Sequence, residues 1–177
     1  MIHGFIKAAS IIGAVVAIVP GAVLAEELAK KGTTSYTTRY VFNPMGYEIT
    51  PGVGRVVPML LVGTTTNTKG EAAFDKMKAR CFAIKVEAGE KSYFDGSCTM
   101  TDDDGDKVFS TFDSRILDKT QPDMKCGTHS IIGGTGKYKG ITGSEAFDCI
   151  FKKENKEMEP FAAYIVDTPH NVTWEIK

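Results

Sequence analysis

Polar and apolar residues alternate along most of this chain, in short stretches separated by turn-forming residues. Thr33 to Phe42 is rich in Thr, Tyr and Val, which suit a pleated surface, and predicts a first strand. Arg55 to Thr66 predicts a second, with Pro58 marking an edge or a bulge. Ala79 to Val86, Ser92 to Thr101, Lys107 to Leu117, Lys125 to Ile132 and Ser144 to Lys152 follow the same pattern. Phe161 to Val166 and Asn171 to Ile176 predict two final strands, separated at Pro169. Asn43-Pro44-Met45-Gly46, Thr50-Pro51-Gly52 and Asn67 to Glu71 are turn clusters. Eight or nine short strands with close turns predict an all-β antiparallel meander, either a closed barrel or a sandwich. Closure removes exposed strand edges, so an all-β, antiparallel eight- or nine-stranded closed barrel is the expectation.

The alternation also sorts side chains by face. On the strand from Lys107, Val108, Ser110, Phe112, Ser114 and Ile116 share one face, while Phe109, Thr111, Asp113, Arg115 and Leu117 share the other. Glu145 shares a face with Phe147, Cys149 and Phe151. Several strands are apolar on both faces, so inside and outside are not separable from the pattern, and an oligomer covering the outer face would account for it.

The densest turn signal is Gly133-Gly134-Thr135-Gly136-Lys137-Tyr138-Lys139-Gly140-Ile141-Thr142-Gly143. A phosphate-binding P-loop needs Ser or Thr after Gly-Lys, and here Tyr138 follows Lys137. A dinucleotide fingerprint needs its third glycine one residue before Gly140 and a helix afterwards, whereas a strand pattern follows. Both nucleotide sites are excluded. The segment resembles one found late in the allene oxide cyclase-like and dirigent-like barrel superfamily. Gly133, Gly134, Thr135, Gly136, Tyr138, Gly140 and Gly143 fall on that pattern as a structural turn, and Gly140 looks closer to the cyclase branch. The resemblance implies a barrel that binds hydrophobic small molecules, in some members with cyclisation, and relatives that include trimers.

Residues 1–25 read as a secretory signal peptide: Lys7, an apolar run from Ala8 to Val19, and Val23-Leu24-Ala25 before Glu26. The apolar run is short for a membrane span, which needs about 20 residues. Residues 26–177 then form one barrel domain, exported to the periplasm or outside the cell. Net charge is −1, and loss of Lys7 with the leader makes it more negative, so nothing suggests nucleic acid. The body of the chain carries Cys81, Cys98, Cys126 and Cys149. Four cysteines allow three pairings, of which the hairpin arrangement selects Cys81–Cys98 and Cys126–Cys149. There is no Cys-x-x-Cys, and His129 and His170 are the only histidines past the leader, so neither a metal site nor a cofactor is expected.

Asp102-Asp103-Asp104-Gly105-Asp106 lacks the positions of a calcium loop, with Met100 and Thr111 where acids are required, and predicts an acidic hairpin turn. Candidate catalytic acids are Glu145, Asp113 and Asp95. Glu145 would have a raised pKa if buried among aromatics, although a place in water at a strand mouth is the more ordinary outcome. His129 reads as a hydrogen-bonded or surface strand residue, and His170, beside Pro169, as a loop residue. Three functions compete: a barrel binding a small apolar ligand, a cyclase or isomerase of allene oxide cyclase type, and a structural or protein-interaction module. A homodimer or homotrimer is compatible with each.

Overall fold

The computed structural model describes residues 28–45, 48–50, 53–89, 91–114, 125–148 and 163–177. They form nine strands: β1 (Lys31–Pro44), β2 (Glu48–Thr50), β3 (Gly54–Asn67), β4 (Lys78–Ala88), β5 (Lys91–Thr101), β6 (Lys107–Asp113), β7 (Lys125–Gly134), β8 (Ile141–Asp148) and β9 (Tyr164–Ile176). From β3 to β9 each strand pairs with the next, β9 pairs with β1, and β1 pairs with β3. Eight antiparallel strands therefore close into a barrel. Strand β2 adds to β3 beyond the end of β1, pairing Glu48 with Val56 and Thr50 with Gly54. The closed barrel expected from the alternation is the observed fold, and no sandwich forms.

One boundary differs from expectation. The two final predicted strands are one, β9, running through Pro169. Proline withholds a ladder N–H, so it belongs where a strand lacks a neighbour. Among the described residues the β8 partners end at His170, which leaves Pro169 with only β1 beside it, opposite Thr37. Pro58 sits in a comparable gap on β3, past the last β1 partner at Met59 and before the β2 partner at Val56. The leader (1–25) and the expected Cys126–Cys149 bridge lie outside the described residues. Cys81 and Cys98 are directly paired across β4 and β5 and are disulfide-bonded, as expected.

Burial follows the two-residue period. On β6, Val108, Ser110 and Phe112 point inward and Asp113 points out. One end of the barrel is filled. Phe74 and Met77, in the connection before β4, are fully buried there with Tyr138 and Trp174. The Phe74 ring packs edge-on to Trp174 at 5.3 Å. Phe74 has a left-handed backbone (φ 57°), held because Thr65 Oγ1 donates to its carbonyl at 2.7 Å and its ring has no exposure.

The glycine stretch belongs to this filled end. A bulge at Ile132, between Ser110↔Ile131 and Phe109↔Gly133, ends the regular β6–β7 ladder. Gly136 to Tyr138 then form a 3-10 turn that drops the Tyr138 ring into the barrel. The acidic turn docks onto it. Lys137 Nζ lies 2.7 Å from Asp102 Oδ2 and 3.0 Å from Asp104 Oδ2, and its backbone N–H donates to Asp106 Oδ2 at 3.0 Å. Gly136 has φ 53°, and a Cβ there would overlap the Asp106 carboxylate, so both backbone angle and space require glycine.

Candidate functional site

At the other end the strands surround a cavity of about 40 Å³. Its wall is mainly aromatic: Tyr40, Phe42, Phe94, Phe112 and Phe147, with the Cys81–Cys98 disulfide between them. Its inner end is polar, because His129 and His170 line it. The ladder puts a carboxylate against both imidazoles. His129 and Glu145 are direct cross-strand partners on β7 and β8, and His170 on β9 is the partner of Phe147, one inward position along from Glu145. All three side chains point inward and are buried.

His170 Nδ1 lies 2.5 Å from Glu145 Oε1, and His129 Nε2 lies 3.9 Å from the same oxygen. The other nitrogen of His129, Nδ1, is 3.0 Å from Ser110 Oγ. His170 stacks on Tyr36, with ring centroids 4.7 Å apart and planes at 11°. Phe112 and Phe147 flank His129 at 4.9 and 5.1 Å. Glu145 Oε2 and His170 Nε2 have no hydrogen-bond partner among the described residues.

Burial disfavours charge on Glu145, yet its carboxyl is pulled down to about 2, chiefly by the adjacent imidazoles of His170 and His129. His129 is pushed down to about 4, since burial and the neighbouring His170 outweigh the attraction of Glu145. It is therefore neutral at pH 7. Burial and the Glu145 charge together push the hydroxyls of Tyr36 and Tyr40 well above the ordinary tyrosine range.

The three candidate acids separate cleanly. Glu145 is inside, not at a watery strand mouth, and its pKa is lowered instead of raised because two imidazoles sit beside it. Asp95 and Asp113 are exposed on the outer faces of β5 and β6, away from the cavity. His170 is the correction of most consequence: it is not a loop residue but lies buried on β9. His129 is the hydrogen-bonded strand residue that was one expectation, on Ser110, and it is buried; the two imidazoles meet despite lying far apart in sequence. The missed signal was on β9: reading through Pro169 puts Thr168, His170, Val172 and Trp174 on one buried face. Ser110 on β6 is the hydrogen-bond partner of His129. Asp148 also lines the cavity.

No known protein family and no curated protein matches the chain. Among solved structures it is similar to the pterocarpan synthase dirigent protein GePTS1, with a TM-score of 0.46 and 12% identity over 84% of this chain and 88% of that one.

Proposed function

We propose that this chain is an exported member of the allene oxide cyclase-like and dirigent-like barrel superfamily that binds a small apolar molecule through its open end. The observation that carries the reading is the aromatic-walled cavity, closed at one end by a packed plug and ending inward on two imidazoles. Its enclosed volume is far below the several hundred Å³ of a typical ligand pocket. The ligand therefore inserts one end, such as a single ring, and leaves the remainder in the opening. The leader-like N-terminus and the Cys81–Cys98 bridge support export.

The test is titration of the protein with indole and p-cresol, followed by NMR of the imidazole ring protons. Saturable shifts at His129 and His170, lost when Phe147→Trp fills the wall, are expected. Imidazole signals that stay unmoved at millimolar ligand overturn the reading.

A second reading, a cyclase or isomerase, is favoured by the burial of Glu145 beside the cavity. It predicts turnover of a reactive apolar substrate that Glu145→Gln abolishes while leaving binding intact. The outer faces of β3 and β4 expose Val56, Phe82 and Ile84, which supports a homo-oligomer covering them. Sedimentation of the protein as a monomer removes that support.

A further inference from the structure

We propose that His129, Glu145 and His170 form a binding site for one divalent ion of the zinc class, with an open coordination position facing the cavity. The sequence has no metal-ligand spacing, and the site exists because adjacent strands β7, β8 and β9 present one donor each at neighbouring register positions. A ligand atom from each of the three residues lies within 4.8 Å of the other two. Donors bound to one tetrahedral ion at about 2.1 Å stand roughly 3.4 Å apart. The two histidine–carboxylate separations are 2.5 and 3.9 Å and no donor pair exceeds 4.8 Å, so shifts of roughly 1–1.5 Å carry all three to that value.

Two further observations point to an ion and not only to a buried ion pair. A pair between Glu145 and His170 uses a single carboxylate oxygen and leaves Glu145 Oε2 and His170 Nε2 buried without partners. Ser110 Oγ lies 3.0 Å from His129 Nδ1, and in the tautomer that donates Nδ1–H to Ser110 Oγ the Nε2 lone pair faces the carboxylate. Orienting one imidazole nitrogen from behind so that the other can ligate is the usual second layer of a metal site. Two imidazoles and a carboxylate suit zinc, iron, nickel or copper better than magnesium or calcium. The nearby sulfurs, Cys81 and Cys98, are tied up in their disulfide. Both imidazoles line the cavity, so the remaining coordination position opens toward it. This proposal stands apart from the apolar-ligand reading, since neither requires the other.

The experiment uses the untagged protein, depleted of metal with a chelator and titrated with Co²⁺ and then Zn²⁺. Visible cobalt bands that saturate at one equivalent, are displaced by Zn²⁺, and accompany a Zn²⁺-dependent rise in Tm are expected. His129→Gln is expected to abolish the bands, and Ser110→Ala to weaken binding about tenfold. Glu145→Gln tests the carboxylate. Should that variant fail to fold, His129→Gln still decides, because circular dichroism and an intact disulfide report its folding independently. No cobalt bands at 100 µM metal, or bands that survive in folded His129→Gln, overturn the site.

Discussion

At one end of the barrel Phe74, Met77, Tyr138 and Trp174 fill the space between the strands, and at the other Phe42, Phe94, Phe112 and Phe147 stand around an opening. Both ends use aromatic side chains, but their surroundings differ. The filled end is held by specific polar contacts: Thr65 and Asn67 accept from and donate to the connection 68–77, and Lys137 bridges the acidic turn. Near the open end the rings meet mainly each other, as Phe42 and Tyr164 do at 4.9 Å. Residues that fix the fold and residues that line the cavity are thus separated along the barrel axis.

Truncating one ring at each end is the strongest way to break this comparison. Phe74→Ala is expected to lower the urea-unfolding free energy by about 3–5 kcal/mol, as for other fully buried aromatics. Phe94→Ala, half-buried at the opening, is expected to cost about 1 kcal/mol. Equal losses at the two positions would end the distinction. The disulfide comes next, because it ties the wall on the cavity side. Its cysteines are 17 residues apart, and the Cys81→Ala/Cys98→Ala double variant is expected to lose about 3 kcal/mol by the loop-entropy argument. Thermal melting with and without reductant checks it.

Gly136→Ala sharpens the account of the filled end. Strained backbone plus the clash with Asp106 is expected to cost about 1–3 kcal/mol, and Asp106→Ala in the same chain should return part of it. If the double variant is no better than the single one, the backbone angle alone explains the glycine.

Acid sensitivity gives the smallest effect. Burial raises the pKa of Glu87 on β4, but hydrogen bonds from Arg55 and Lys85 and their charges bring it down to about 2 from an ordinary 4.5. Its folded pKa is the lower one, so its contribution is complete above pH 4.5 and is lost as pH falls toward 2. The group is partly exposed, which limits the contribution to about 1 kcal/mol or less. Glu87→Gln should flatten the stability profile in that window and leave it unchanged at pH 7.

The barrel was readable because period-two alternation and short turns recur along the chain. The faces of β6 and the Cys81–Cys98 pairing followed from the same logic. The site was half readable. Glu145 stood out as a carboxylate among aromatics, but its environment is made by His129 and His170, and only strand register brings those together. Pro169 concealed the register by looking like a break. Phe74 and Met77 were hidden for a different reason: they plug the barrel from an irregular connection, where no periodicity marks a buried side chain.

Strand β9 joins two neighbours, β1 and β8, that have no ladder with each other. Residues 164–176 therefore act on assembly as well as on packing. Until they arrive, β1 to β8 can form only an open, curved sheet whose two edges are unpaired and whose His129 and Glu145 lack their third companion. An open sheet of that kind can add strands from another copy. Closure of the barrel and completion of the histidine–carboxylate cluster thus depend on the same strand.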